Sequence, residues 1–169
     1  MAQGGEPTRR RVLAWLGASA ALPALAACGS GAAEARGRKG PFPVAYSDAE
    51  WRRRLTPAQY FILRQEGTER AFTSPLNHEK RKGVFACAAD GQPLFASATK
   101  FDSGTGWPSF YRPLPGAVGT STDFKLGYAR TEVHCSRCGG HLGHVFEDGP
   151  RPTGLRYCIN GAALSFRPA

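Results

Sequence analysis

The chain has 169 residues, which suits one domain with an appendage and excludes large multidomain machinery. Hydrophobic residues make up 41% of it and charged residues 21%, a composition that argues against global disorder and against a coiled coil. The net charge of +9 leaves nucleic acid, an anionic membrane and acidic partners open. Five cysteines are too few for a disulfide-stapled mini-protein, and the odd number indicates that at least one of them is chemically special.

The N-terminus has the order of an export signal. Three arginines at 9–11 precede an apolar run at 12–27, which ends in small residues and is shorter than the ~20 residues that a membrane-spanning helix needs. The segment 8–13 resembles a twin-arginine export signal, and the segment 25–28 resembles a bacterial lipobox, whose Cys28 would become the acylated first residue. An uncleaved, partly disordered N-terminus with a chance cysteine is the alternative.

These signals divide the chain into three parts. We expect a lipoprotein signal peptide at 1–27, a flexible tether at 28–46 and a folded domain at 47–168. Acyl chains on Cys28 would anchor the exported protein without a membrane span, facing the periplasm or the cell exterior. Loss of 1–27 removes three Arg and one Glu, so the remaining chain keeps a net charge of +7.

Two short helices are predicted before a β-rich domain. Ser47 with Glu50 has the form of a capping box and predicts a helix at 48–55, and Thr56 followed by Pro57 starts a second helix that ends near residue 67. Short apolar segments bounded by Gly, Asp and Pro then predict strands. These strands are 83–87, 93–96, 124–128, 131–135, 144–146, 155–159 and 163–166. The predicted fold class is mainly β, with the two N-terminal helices packed on it.

Two pairs of residues have the spacing of metal ligands. Cys87 is followed three residues later by Asp90, Cys135 is followed in the same way by Cys138, and glycines come directly after both pairs as in zinc knuckles. Three thiolates and one carboxylate could complete a tetrahedral Zn²⁺ site. A redox pair of Cys135 and Cys138 and a set of unligated buried thiols are the alternatives.

The C-terminal part contains a further group of candidate residues. Cys158 lies two residues after Arg156, and two histidines, His141 and His144, are three residues apart. Positive charge from these side chains could lower the pKa of Cys158 and favour its thiolate. Taken alone, the cysteine fits an ordinary buried strand position. The histidine pair could bind a metal, but it more often marks a polar turn with one core histidine.

Three longer motifs, in a fixed order, resemble the methionine-R-sulfoxide reductases of the MsrB family. They are F-D-S-G-T-G-W-P-S-F at 101–110, H-L-G-H-V-F at 141–146 and L-R-Y-C-I-N-G at 155–161. Shorter matches upstream extend the resemblance to about 47–168. The resemblance implies two antiparallel sheets, reduction of the R epimer of methionine sulfoxide in oxidised proteins, and often a structural zinc. We expect no organic cofactor and a monomer.

The resemblance also implies the chemical roles at the reacting centre. Cys158 matches the nucleophile, whose thiolate attacks the sulfoxide sulfur and becomes a sulfenic acid. His141 and His144 match residues that protonate or position the sulfoxide oxygen, and Asn160 helps to hold that polar network.

Two further positions match residues around that centre. Trp107 matches the residue that holds the methyl group of the substrate, although without the resemblance an ordinary aromatic core position would be the favoured explanation. Arg156 would supply positive charge near the thiolate, with Asp148 orienting its guanidinium.

Two positions depart from the family pattern. Thr105 falls where some members have a resolving cysteine, so a thioredoxin-like or other thiol must reduce the sulfenic acid, unless another cysteine such as Cys87 resolves it. Asp90 replaces a cysteine of the metal site; zinc accepts an oxygen ligand, but we expect a lower affinity than four thiolates would give.

Two other classes of function fit parts of the sequence. A zinc-ribbon protein that binds nucleic acid would use the knuckles and the basic charge, but the export signal, the 44 residues between Asp90 and Cys135 and the scattered bases argue against it. A lipid-anchored interaction module would need its cysteines only for structure. We therefore expect oxidised proteins and a membrane surface as partners, and no nucleic acid.

Overall fold

The computed structural model describes residues 41–169, in which two short helices precede a series of short strands. The helices are α1 (Asp48–Arg54) and α2 (Pro57–Gln65). The strands are β1 (Gly83–Cys87), β2 (Pro93–Ala96), β3 (Lys100–Phe101), β4 (Ser109–Phe110), β5 (Val118–Asp123), β6 (Arg130–Cys135), β7 (His141–Phe146), β8 (Arg156–Ile159) and β9 (Leu164–Pro168). Within this part of the chain no helix has the length and apolar character needed to cross a membrane. The predicted signal peptide, Cys28 and the tether up to residue 40 lie outside the described residues.

The helices begin where their capping residues predict. The Ser47 side chain accepts a hydrogen bond from the Glu50 N–H at 3.3 Å, and Thr56 and Gln59 form a reciprocal capping box ahead of α2. Both helices pack on the β-rich part of the domain, because Trp51 of α1 and Leu63 of α2 are buried in its core. The prediction of two N-terminal helices is confirmed.

The strands form two antiparallel sheets that enclose one core. The smaller sheet has the order β2-β1-β9 and the larger has the order β3-β4-β8-β7-β6-β5. Phe85 and Phe95 of the smaller sheet contact Phe110 of the larger, with ring centroids 5.0 and 4.3 Å apart. Since aromatic packing of this kind joins the inner faces of the two sheets, the predicted fold class is confirmed.

One predicted strand is wrong. The segment 124–128 is a turn between β5 and β6, in which the Gly127 N–H donates to the Phe124 carbonyl. Its alternating apolar residues imitate a strand, yet Phe124, Leu126 and Tyr128 are exposed. The true strand, β5, precedes it and consists mainly of Thr, Ser and Gly, which carry no apolar alternation. The short strands β3 and β4 were also not predicted.

The N-terminal part of the described chain contacts the domain before residue 47. The Val44 N–H donates to the Arg137 carbonyl at 2.9 Å, and the Phe42 ring lies edge-on to the His134 ring, with centroids 5.7 Å apart. Contacts with the domain therefore begin inside the range that the sequence assigns to the tether.

Candidate active site and metal cluster

One face of the larger sheet carries a row of polar side chains. Strand register places Ser109 opposite Cys158, Cys158 opposite His144, and His144 opposite Glu132. Directly opposite residues of antiparallel strands share a face of the sheet, so Cys158 and His144 are neighbours. The alternate residues of these strands, such as Phe110 and Val133, belong to the hydrophobic core on the other face.

A register shift between β6 and β7 places the second histidine on the same face. Residues three apart in a regular strand face opposite sides. Here Glu132 pairs with His144 while His134 pairs with His141, so β7 carries one extra residue between the pairs. The rings of His141 and His144 lie 5.4 Å apart between centroids. The bulge therefore explains how an H-x-x-H motif can place both rings at one site.

Gly143 allows β8 to approach this part of β7 closely. A Cβ atom at residue 143 would lie 2.0 Å from the Cys158 carbonyl oxygen, much closer than atoms can approach. The glycine between the two histidines is thus needed to keep Cys158 beside His144.

Each histidine is held by a carboxylate. The Nδ1–H of His141 donates to Oε1 of Glu132 at 2.8 Å, and the Nε2–H of His144 donates to Oδ2 of Asp123 at 2.7 Å. Arg130 donates to the same Asp123 oxygen at 2.6 Å. Burial opposes the charge of Asp123, but the Lys125 N–H, His144 and Arg130 outweigh it and hold the pKa of Asp123 at about 2. Burial lowers the pKa of His144 in spite of its carboxylate partner, which favours the neutral ring.

Cys158 lies in a small cleft of about 130 Å³. This volume suits one side chain rather than a folded partner. The lining residues are Thr68, Trp107, Arg130, Gly143, His144, Phe146, Cys158 and Asn160. His141 is buried beside His144 and is absent from the lining.

Burial dominates the electrostatics of the Cys158 thiol. It raises the pKa of Cys158, although the Thr105 hydroxyl, 3.9 Å from the sulfur, and the Arg156 guanidinium act in the opposite direction. Arg156 is fixed by two hydrogen bonds of 2.8 Å to the carboxylate of Asp148. The expectation of a lowered pKa is therefore wrong, because the charge of Arg156 offsets only part of the effect of desolvation.

Trp107 and Asn160 are connected through the backbone of Glu69. The Trp107 indole N–H donates to the Glu69 carbonyl at 3.2 Å, and the Glu69 N–H donates to the Asn160 side-chain oxygen at 3.0 Å. Asn160 also donates to the Leu142 carbonyl at 3.0 Å. Asn160 thus connects the backbone at Glu69 with the backbone of β7 at Leu142. The sequence analysis expected it to support the polar network of the two histidines.

The second site is a cluster of four potential metal ligands, formed by Cys87, Asp90, Cys135 and Cys138. Their ligand atoms all lie within 4.8 Å of one another. The Cys87 and Cys138 sulfurs are 3.7 Å apart, and the Cys135 sulfur lies 3.7 Å from the nearer Asp90 oxygen. Tetrahedral bonds of about 2.3 Å to sulfur imply separations of about 3.8 Å between sulfurs. The cluster therefore has dimensions that could hold a metal ion.

The two halves of the cluster have matching backbone geometry. The Gly91 N–H donates to the Cys87 carbonyl and the Gly139 N–H to the Cys135 carbonyl, both at 2.9 Å, and both glycines have positive φ. The Gln92 N–H donates to Asp90 at 3.0 Å, at the position where the Gly140 N–H donates to the Cys138 sulfur. Asp90 thus occupies the place of the fourth cysteine of a pair of knuckles.

All cysteines of the described residues are free thiols, which argues against a Cys135–Cys138 disulfide. Hydrogen bonds with the thiols of Cys138 and Cys87 lower the pKa of Cys135. The hydrogen bond between Cys87 and Cys135 has the opposite effect on its other partner and raises the pKa of Cys87. Cys87 belongs to this cluster and does not line the cleft around Cys158.

Three charged residues of the cleft were missed by the sequence analysis. Arg130 lines the cleft, and Asp123 and Glu132 hold the two histidines. The only available signal was R-T-E at 130–132, three residues that follow a glycine-containing turn and carry no metal-ligand or nucleophile spacing.

Together, the mainly β fold and the cleft define a domain built for thiol chemistry on a small side chain. The SelR domain family matches residues 55–168, and the chain belongs to this family. Peptide methionine sulfoxide reductase MsrB of Agrobacterium fabrum is 59% identical over 126 residues, which are 74% of this chain and 93% of that protein. The protein of the same name from Leptospira interrogans is 58% identical over 127 residues, 75% and 97% of the two chains. Methionine-R-sulfoxide reductase B3, mitochondrial, of Mus musculus is 50% identical over 144 residues, 85% of this chain and 56% of that one.

Proposed function

We propose that this protein reduces the R epimer of methionine sulfoxide in oxidised proteins back to methionine. The observation that carries the proposal is the row of Cys158 and His144 in a cleft that Trp107 also lines, within a chain of the SelR family. The similarity to reductases named for this reaction, at 59% and 58% identity, supports the same activity here.

In the first step the Cys158 sulfur attacks the sulfoxide sulfur. Because burial raises the pKa of Cys158 and lowers that of His144, the resting pair is a thiol beside a neutral imidazole. The Nδ1 atom of His144 can accept the thiol proton, since its Nε2–H is committed to Asp123. Protonation of the sulfoxide oxygen then breaks the sulfur–oxygen bond and releases water, which leaves a cationic adduct with a bond between the Cys158 sulfur and the methionine sulfur. A water molecule attacks the Cys158 sulfur of this adduct, the sulfur–sulfur bond breaks and a proton is released, leaving methionine and a Cys158 sulfenic acid.

External thiols complete the cycle. Thr105 stands 3.9 Å from the Cys158 sulfur and offers no thiol, and Cys87 lies in the metal cluster. One thiol of a reductant therefore condenses with the sulfenic acid and releases water, and a second thiol displaces Cys158 and leaves the reductant as a disulfide. A thioredoxin-like dithiol supplies both thiols in one molecule.

Zinc is the metal that the ligand cluster fits best. Three thiolates and one carboxylate, all buried except for the partly exposed Asp90, suit the ligand preference of Zn²⁺ in a closed structural site. The ion would crosslink β1 with the end of β6 and stabilise the fold. The reaction itself uses only the residues of the cleft.

We further propose that residues 1–27 are a twin-arginine-type signal peptide and that Cys28 carries the lipid anchor. The segment 28–46 would link this anchor to the domain 47–168, and its end, at Phe42 and Val44, already contacts the domain. The order of basic, apolar and small residues and the leftover fifth cysteine support this. Mutation of Cys28 to Ala should move the protein from the membrane fraction to the aqueous fraction. A variant that still requires detergent would place the anchor elsewhere.

The decisive experiment separates the two epimers. Purified protein is incubated with a dithiol and a peptide that carries either R- or S-methionine sulfoxide, and the methionine formed is measured. We expect turnover of the R epimer alone, with no turnover by Cys158→Ser. Reduction of neither epimer, or equal reduction by Cys158→Ser, would contradict the proposal and favour a binding module.

A further inference from the structure

Four exposed apolar side chains lie in two segments that adjoin residues of the cleft; we call them the apolar rim and define it as Phe72, Phe124, Leu126 and Tyr128. We propose that the rim binds the polypeptide on either side of the oxidised methionine and makes the enzyme prefer substrates with apolar residues there. This inference rests on the proposed reductase function and names the class of protein substrate that the site takes.

The rim is unusual in its exposure. The exposed fractions are 72% for Phe72, 66% for Phe124, 60% for Leu126 and 59% for Tyr128, the highest among the large hydrophobic residues of the described chain. Three of the four lie within five consecutive residues of the turn between β5 and β6. Single exposed hydrophobic residues are common, but a group of them beside a functional cleft indicates a binding surface.

Both parts of the rim are joined to residues of the cleft. The turn begins after Asp123, which holds His144, and ends before Arg130, which lines the cleft. On the other part, the Phe72 N–H donates to the Gly106 carbonyl at 2.7 Å, and the Phe72 ring covers the Cα atom of Gly106, the residue before Trp107. Each part of the rim is therefore next to a residue that lines or supports the site where we place the methionine sulfoxide.

The turn is fixed although its apolar side chains are exposed. The Lys125 ammonium donates to the carbonyls of Gln65 and Glu66 at 3.2 and 3.3 Å and forms an ion pair with the Glu66 carboxylate at 2.7 Å. The Lys125 N–H also donates to Asp123 at 2.8 Å. A turn held in this way presents Phe124 and Leu126 without a large ordering cost when a partner binds.

The size of the cleft identifies the occupant of the rim. A volume of about 130 Å³ holds the methionine sulfoxide side chain and little more, so the neighbouring residues of a protein substrate must lie outside it. Methionine is mostly a core residue with apolar neighbours, and its oxidation disrupts the packing around it. An opened segment of this kind brings apolar side chains to the rim together with the sulfoxide.

The test compares three substrates of the R configuration. They are N-acetyl methionine sulfoxide amide, a peptide with Leu and Phe beside the oxidised methionine, and a peptide of equal length with Ser and Gly in their place. For the natural protein we expect kcat/KM to be about tenfold higher with the apolar peptide than with the polar one. In the triple variant Phe124→Ser, Leu126→Ser, Tyr128→Ser we expect that preference to fall below about twofold.

Tyr46→Ser is the matched control. Tyr46 is an exposed aromatic residue that contacts Trp51 and Arg54, and none of these three residues lines the cleft. We expect it to keep the full preference for the apolar peptide. Thermal unfolding of each variant checks the fold, and the single variant Phe72→Ser, with an expected loss of about threefold, replaces the triple variant if that one does not fold.

Equal kcat/KM for the two peptides in the natural protein, or an unchanged preference in the triple variant, would overturn the proposal. Loss of binding to anionic lipid vesicles with the peptide preference intact would assign the rim to a membrane surface and also overturn it. Failure to reduce any of the three substrates would instead reject the reductase function on which the inference rests.

Discussion

Cys135 of the metal-ligand cluster and Cys158 of the cleft lie on opposite faces of the larger sheet and have different surroundings. Cys135 lies on the core face of β6, where it is buried among Cys87, Cys138 and Asp90. Cys158 lies on the polar face of β8 and is partly exposed in a cleft. A cysteine is thus a candidate metal ligand where other cysteines surround it, and a candidate nucleophile where no other thiol is near.

The difference teaches that the partners and the access of a thiol decide its chemistry. In the cluster, each thiol has another thiol or a carboxylate as its nearest partner, and a metal ion would replace the shared protons. In the cleft, the Thr105 hydroxyl and the Arg156 guanidinium act on Cys158, and His144 lies opposite it on the neighbouring strand. No other thiol lines the cleft among the described residues.

The largest expected effects come from the same substitution at the two sites. Cys158→Ser should lower kcat/KM for methionine-R-sulfoxide by at least about 10³-fold, because the nucleophile is lost, and should change the free energy of unfolding by less than about 0.5 kcal/mol. If the cluster binds zinc as we propose, Cys138→Ser should lower the free energy of unfolding by more than about 3 kcal/mol and abolish metal binding. Activity assays, urea denaturation and elemental analysis measure the three quantities.

The reverse pattern would contradict this comparison. Absence of metal from the natural protein, together with a Cys138→Ser variant of equal stability, would show that the cluster is only a set of buried thiols. A destabilised Cys158→Ser variant would show that the cysteine of the cleft has a structural role.

A smaller effect is expected where the cluster departs from a four-cysteine site. Asp90→Cys should raise the affinity for zinc by about tenfold or more, because a thiolate is a softer ligand than a carboxylate and the Gln92 N–H can donate to sulfur as the Gly140 N–H does. Competition with a chelator measures the affinity, and Asp90→Asn, which removes the charge, should lower it. Equal affinities for all three forms would show that residue 90 does not bind the ion.

Local sequence signals predicted the helices, most strands and both ligand pairs. Ser47, Thr56 and Pro57 act within one helical turn, and the knuckles are closed by glycines next to their ligands, so a short window contains the information. The grouping of Cys87 with Cys135 needed only the equal spacing of the two pairs. The motifs at 101–110, 141–146 and 155–161 identified the family that the match over 55–168 shows.

Features that depend on strand register could not be predicted in this way. The bulge that turns His141 to the face of His144, and the pairing that brings Glu132 and Asp123 to the two rings, arise only when β5, β6 and β7 align. Burial raises the pKa of Cys158, and this burial comes from segments that are distant in sequence. Arg156, by contrast, is only two residues from Cys158. The sequence therefore indicated the nearby positive charge but not the desolvation that outweighs it.

The electrostatics of the cleft can be tested without touching the cluster. The pKa of Asp123 is about 2 in the folded protein, below its ordinary value of 3.8, so the carboxylate stabilises the fold above about pH 4 and loses this contribution as the pH falls toward 2. Asp123→Asn should lower the free energy of unfolding by about 2 kcal/mol at pH 7 and by much less near pH 2. Denaturation at both pH values measures this, and zinc content should stay unchanged. A loss independent of pH would show that the charge is unimportant.

The smallest effect concerns the residue that opposes desolvation at Cys158. Arg156→Met removes a positive charge near the sulfur, so the pKa of Cys158 should rise further above its ordinary value and the thiolate should form only at higher pH. The rate of alkylation by iodoacetamide, followed at residue 158 against pH, should therefore shift to higher pH. Arg156→Lys keeps the charge but not the paired hydrogen bonds to Asp148, so its alkylation profile should lie between those of the natural protein and Arg156→Met.

The cysteines of the metal-ligand cluster provide the control. Because Arg156 acts on the cleft alone, alkylation of Cys87, Cys135 and Cys138 should be slow in all three proteins. An unchanged profile for Arg156→Met would mean that burial by itself sets the reactivity of this thiol, and that the cleft and the cluster differ in access rather than in charge.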